Sequence, residues 1–158
     1  MARPIQASQF AEAPSPVVAN DPIVAAQTFK KGAPLTLNAG AVQEHAGGST
    51  VTGLYGFALF GATSGAPSGG FGSTMGVSRA TRTTVFSGEM LTGGAGGTKK
   101  TDLSAVTKDQ RYGLIKSSAG DWYVDFDDTT DVMVEIVGKD PKNGIVLFKV
   151  IESALQIF

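Results

Sequence analysis

The segment from Trp122 to Ile151 restricts the fold more than any other part of the chain. In Trp122-Tyr123-Val124-Asp125-Phe126, the residues Trp122, Val124 and Phe126 share one side of an extended strand, with Tyr123 and Asp125 on the other. Val132-Met133-Val134-Glu135-Ile136 repeats that period of two. Lys139-Asp140-Pro141-Lys142-Asn143-Gly144 then precedes the apolar run 145–151, and Asn-Gly beside such a run is a strong hairpin signal. The pattern predicts a sheet with Trp122, Val124, Val134, Ile136, Leu147 and Phe148 buried, and with 155–158 as a further strand or its extension.

Upstream, the pattern is also β. A strand is expected over Pro34 to Leu37, a turn at Asn38-Ala39-Gly40 and a return through Val42. Val51 to Phe60 reads as an apolar strand broken by glycine. One stretch competes for a helix, Leu103 to Gly113 with Asp102 as its cap, although Val106, Thr107 and the closing Tyr-Gly weigh against it.

Composition agrees with a turn-rich β protein. The chain has 158 residues, enough for one domain with a real core; 17% are charged against about 25% in an average protein, and 21 are glycine. A net charge of −1 supplies no basic field for nucleic acid or an anionic membrane. No apolar run approaches the roughly 20 residues of a membrane helix, and the first 22 residues lack a signal-peptide core, so they are expected to stay on the mature protein. Zero cysteines exclude disulfides and thiolate metal sites.

Residue patterns that suggest chemistry do not survive inspection of their spacing. Asp127-Asp128-Thr129-Thr130-Asp131 matches a diphosphate and magnesium motif, but that motif needs a helix, and here it joins two alternating strands, where Asp and Thr favour turns. Counted from Asp125 as a calcium loop, the sixth residue is Thr130 rather than Gly and the twelfth is Ile136 rather than Glu. Gly93 to Thr101 resembles a phosphate loop with its second Gly and its hydroxyl misplaced, and Gly70 to Gly76 lacks the strand, helix and acid of a dinucleotide fingerprint. His45 is the sole histidine and is expected on a polar surface; without a second histidine or a cysteine it builds neither a zinc site nor a triad. No catalytic, cofactor-binding or metal-binding residue is assigned, and the chain is not read as an enzyme.

Residues 1–26 carry Pro4, Pro14, Pro16 and Pro22 and read as an extended arm, followed by a β-rich domain over 27–158. Two readings of the arm stay open: a solvated terminus, or a segment that orders against a neighbouring subunit through Ile5, Phe10, Val17, Val18, Ile23 and Val24. Residues 61–83 read as a long loop of small residues whose only charges are Arg79 and Arg82. An echo runs between 30–60 and 86–116: Gly32-Ala33-Pro34-Leu35-Thr36 aligns with Gly88-Glu89-Met90-Leu91-Thr92, and Tyr55-Gly56-Phe57 with Tyr112-Gly113-Leu114. It suggests one small β unit used twice. The fold class is therefore mainly β, a small sandwich or barrel-like domain with an extended N-terminal arm.

The stretches QTFKKGAPLTLNAGAVQ and VTGLYGFAL, their echo FSGEMLTGG and KDQRYGLIK, and the ending WYVDFDDTTDVMVEIVG with GIVLFKVI resemble the head decoration, or capsid cement, proteins of tailed bacteriophages. The resemblance covers 28–158; the Gly-rich insert and the long arm depart from it. It implies a structural virion protein made in the host bacterial cytoplasm. Such a protein sits on the outer capsid surface, bridges neighbouring major capsid protein subunits after the head expands, and self-associates, with a trimer ahead of a dimer. Contacts with capsid or subunit are then expected from Ile5, Phe10, Val17, Val18 and Ile23 in the arm and from Phe71, Arg79 and Arg82 in the loop. Rival readings are a tail or fibre component and a small β-rich ligand-binding module.

Overall fold

The computed structural model describes residues 2–8, 17–64, 66–67 and 74–156. Its strands are β1 (Gln6–Ala7), β2 (Val18–Pro22), β3 (Pro34–Asn38), β4 (Ala41–Glu44), β5 (Gly56–Ala58), β6 (Ala62–Thr63), β7 (Ala66–Pro67) and β8 (Thr74–Arg79). The second half adds β9 (Phe86–Gly88), β10 (Met90–Thr92), β11 (Thr98–Lys99), β12 (Arg111–Lys116), β13 (Trp122–Asp125), β14 (Val134–Asp140) and β15 (Ile145–Val150), and a 3-10 turn over Glu152–Ala154. The domain is mainly β.

Both large sheets close on themselves. In the second half the order runs β9-β15-β14-β12-β13-β10, and β9 and β10 are one run interrupted only at Glu89. The first part of that run pairs antiparallel with β15 and the second part pairs parallel with β13, so five strands form a barrel-like ring. In the first half the order is β2-β8-β5-β3-β4. Here the run that begins as β2 continues past Pro22 and bridges β4 in parallel at Ile23 and Val42, with Val24 N–H donating to Val42 O at 2.9 Å.

These two rings have the same topology. In each, the first strand in sequence pairs antiparallel with the fifth, the fifth with the fourth, the fourth with the second, and the second with the third. In each, the third then closes in parallel on the first. The residues that make the echo between 30–60 and 86–116 are not the equivalent ones: β3 is the second strand of its ring, whereas β10 belongs to the first strand of the other. The repeat lies in the pairing, and the local phrase Gly-x-x-Leu-Thr occurs at two different places in it.

One core joins the rings. Ala58, Met75 and Val77 share a face of the first sheet, while Phe57 and Ser78, opposite each other, point the other way. Phe57 reaches Phe86 at 4.6 Å and Phe148 at 6.2 Å between ring centroids, so its aromatic surface is buried against the second ring. Polar clasps surround this contact. Glu44 in β4 accepts from Trp122 Nε1 at 2.8 Å and from Lys116 Nζ at 2.7 Å. The Gln156 side chain both accepts from Leu37 N–H and donates to Leu37 O, and Leu54 pairs with Leu155. Gly47, at φ +67°, lets the loop after β4 lie on Trp122: a Cβ there would stand 2.6 Å from Trp122 Cη2.

The period-two strands form where expected. Trp122, Val124, Val134, Ile136 and Phe148 are buried, and β14 and β15 are joined through the turn that ends at Gly144. Leu147 is only half-buried: Val146, Phe148 and Val150 point inward, so the alternating chain turns Leu147 out over Gly138. Tyr123 is buried as well as its neighbours. Of Val51 to Phe60, only β5 is a strand.

The region read as a loop at 61–83 holds the β6–β7 hairpin and β8, a central strand between β2 and β5. There Met75 and Val77 fill the core while Gly76 and Ser78 let neighbours pack closely on the other face; small residues disguise the alternation. The helical reading of 103–113 is replaced by two turns and the start of β12. Asp102 accepts from Ser104 N–H at 2.9 Å, an Asx turn that holds its carboxyl below the ordinary carboxylate range.

Segments of the arm are extended, but the strands described within 1–26, β1 and β2, pair with this chain's own sheets. β1 lies antiparallel on β9, with Arg3 N–H donating to Glu89 Oε2 at 3.0 Å, and β2 is the opening strand of the first ring.

Candidate interaction surface

The residues assigned to an interface fall into distinct settings. Ile5 is 1% exposed and packs against the core beneath β1, so its side chain serves this chain's own interior. Ile23 is half-buried against the core at the bridge to Val42. Phe10 and Phe71 lie outside the described residues. Val17 and Val18 are 50% and 53% exposed at the start of β2, and Arg79 N–H donates to Val17 O at 2.8 Å across the β2–β8 ladder. The Arg79 guanidinium lies 5.0 Å from the Tyr55 ring centroid. Tyr55 in turn donates its hydroxyl to Asp21 at 2.8 Å; burial, then this bond, push its pKa above the ordinary tyrosine value.

Val18 and Phe60 define the first outward surface. Val18 is paired with Ser78 and therefore shares its face of the sheet. Phe60 covers Gly76 on that same face: a Cβ on Gly76 would meet the Phe60 ring at 3.3 Å. Phe60, Val17 and Val18 are the large apolar residues exposed among those described. The surface is apolar at the open end of β2; Arg79, the residue after Ser78, alternates to the opposite face, where it lies over Tyr55.

The second surface lies on the other ring. Direct cross-strand pairing aligns Arg111, Glu135 and Lys149 along β12, β14 and β15, and Arg111 Nε meets Glu135 Oε2 at 2.7 Å. Arg82, from the connection between β8 and β9, pairs with Glu152 beside them. With Val150 and Ile151 these side chains line a cleft of about 220 Å³. Three cations face two carboxylates, a balance of +1. Both ion pairs are solvent-exposed and contribute about 0–1 kcal/mol each, so an acidic partner can displace either carboxylate at small cost.

The remaining motifs are occupied by local bonding. His45 is 2% exposed, contrary to its expected surface position: Nδ1 accepts from Gly47 N–H and Nε2 faces Thr52 O at 2.8 Å, which defines the tautomer protonated at Nε2. The DDTTD stretch connects β13 and β14 without a helix. Asp127 accepts from Thr92 Oγ1 and Gly93 N–H, and Asp128 from the N–H groups of Thr130 and Asp131. Burial pushes the Asp125 carboxyl up, against the N–H bond it receives from Asp127. Among the described residues, no group of three or more His, Asp or Glu side chains is placed to hold a metal ion. Gly93 to Gly97 form the tip between β10 and β11.

Phe60, which the sequence places within a strand, and the row Arg111, Glu135, Lys149 are the surface residues that no local sequence pattern marks. The polar positions of the alternating strands were the available signal for that row, but only the register brings them side by side. The chain matches no protein-family profile, no curated protein and no solved structure.

Proposed function

We propose that this protein is a structural component of a phage virion that binds the outer capsid surface and stabilises the expanded head by bridging neighbouring major capsid protein subunits. One observation carries the reading most: two rings that share a single core present two separate outward surfaces, an apolar one at β2 and Phe60 and a charged one at Arg82, Arg111 and Lys149. A bridge needs two such surfaces on a body that does not yield between them. Weak contacts then suffice, because an array of copies on a repeating lattice multiplies effective affinity. The resemblance of 28–158 to decoration proteins supplies the capsid as partner.

Co-sedimentation with expanded, undecorated shells tests the proposal, with unexpanded shells as the control. Saturable binding to expanded shells alone supports it; binding to neither shell removes it for that capsid. The cleft of about 220 Å³ favours a small β-rich ligand-binding module as the second reading.

A further inference from the structure

The geometry points to β2 as a self-pairing edge, through which two copies of this chain associate about a two-fold axis. Arg79 N–H bonds to Val17 O, so the backbone groups of residue 17 face β8. Strand polarity alternates, so those of Ala19 and Asp21 face β8 as well, while the N–H and C=O groups of Val18 and Asn20 face the opposite side. No described residue pairs with that side before the bridge at Ile23. Pro22, which has no N–H, ends the row of donors there.

The duplicated topology shows what such an edge accepts. In the second ring the equivalent run, β9, is flanked on its outer side by an antiparallel strand, β1, with Gln6 opposite Ser87 and Ala7 opposite Phe86. The first ring has no counterpart to β1 among the described residues. Val17, Val18 and Phe60 are exposed beside that open position.

A second copy fits because the register is self-complementary. Antiparallel pairing centred on Ala19 sets Val18 opposite Asn20 of the second copy and Asn20 opposite its Val18. All four residues direct both backbone groups across the seam, which closes four hydrogen bonds and makes an isologous contact. The same docking covers the apolar patch at Val18. It favours a dimer over the trimer that the resemblance implies, and it stands apart from the capsid reading, since no shell enters its test.

The test is the mass of the full chain in solution by light scattering coupled to gel filtration, over a range of loading concentrations. The wild type is expected at twice the 16.2 kDa chain mass. Asn20→Pro removes a donor on the outer side and is expected to halve the mass while the chain stays folded by circular dichroism, its melting temperature no longer rising with concentration; Asn20→Ala keeps the donor and the dimer. If Asn20→Pro fails to fold, Val18→Lys replaces it, with the same loss of dimer expected. Amide exchange at Val18 and Asn20 is expected to slow as concentration rises. A wild type that is monomeric or trimeric throughout, or a dimer indifferent to both Asn20→Pro and Val18→Lys, overturns the inference.

Discussion

Gly47 and Gly48 form a matched pair for measuring how tightly the two rings are joined. Both have positive φ, +67° and +53°, so alanine at either position meets the left-handed backbone penalty of about 1–2 kcal/mol. They differ in what the new methyl group meets. At Gly48 it points into open space, whereas at Gly47 it stands 2.6 Å from Cη2 and 2.8 Å from Cζ3 of Trp122. Trp122 cannot retreat freely, because its Nε1 is bonded to Glu44 across the junction. Overpacking of this kind adds about 1–3 kcal/mol. Gly47→Ala should therefore destabilise by about 2–5 kcal/mol in total and Gly48→Ala by only about 1–2 kcal/mol. Urea unfolding followed by tryptophan fluorescence measures both, and Trp122, the chain's only tryptophan, reports directly from the contact. The native emission should shift in Gly47→Ala alone. Equal destabilisation of the two variants, or an unshifted spectrum in Gly47→Ala, would refute the argument that this glycine exists to admit the indole.

Three further outcomes are expected. Glu44→Gln should cost at most about 1 kcal/mol, since a carbonyl still accepts from Trp122 and the lost ion pair with Lys116 is partly solvated, whereas Glu44→Ala orphans the indole N–H at about 1–3 kcal/mol; denaturant melts of the two variants separate the cases. Gln156→Ala removes both bonds to the Leu37 backbone and should cost about 1–3 kcal/mol, with faster amide exchange at Leu37. The pKa values of Tyr55, Tyr112 and Tyr123 are all raised, first by burial, above the ordinary value of 10.0. A raised folded pKa contributes stability that is complete below pH 10 and lost as pH rises through the folded value. Melting temperature should thus hold to about pH 10 and fall above it, together with delayed phenolate absorbance; simple phenolate titration of the intact fold at the ordinary value would contradict it.

The legible parts of the fold are those whose signal is local. The strands from Trp122 onward announce themselves because one face is apolar and the other polar, and Asn143-Gly144 marks their turn in two residues. β8 was hidden because its second face is Gly76 and Ser78, which look like loop composition but permit Phe60 and Phe57 to lie close. His45 passed for a surface residue because its partners, the backbone of Gly47 and Thr52, carry no side-chain signature. Ile5 reads as apolar from sequence, but which surface it covers depends on β1 pairing with β9, whose residues lie far along the chain. Ring closure belongs to the same class: the parallel contacts Met90 with Val124 and Ile23 with Val42 are made by strands far apart in sequence, and no local pattern encodes them. At the candidate surface, Val17 and Val18 were visible as apolar residues in a proline-rich segment, while the Arg111, Glu135 and Lys149 row required the register.

The contact of Phe57 with Phe86 and Phe148 also sets an order of events during synthesis. Every strand of the first ring has been translated by Arg79, so that ring can close while the second is still being made. Until Phe86 and Phe148 emerge, Phe57 faces solvent on a finished sheet, and Leu54 awaits its bridge partner Leu155. The nascent half-protein is therefore a closed ring with an adhesive aromatic side, the state in which chaperone capture or mispairing with another nascent chain is most favourable. Emergence of β15 and of Gln156 ends that interval by covering Phe57 and closing the clasp on Leu37.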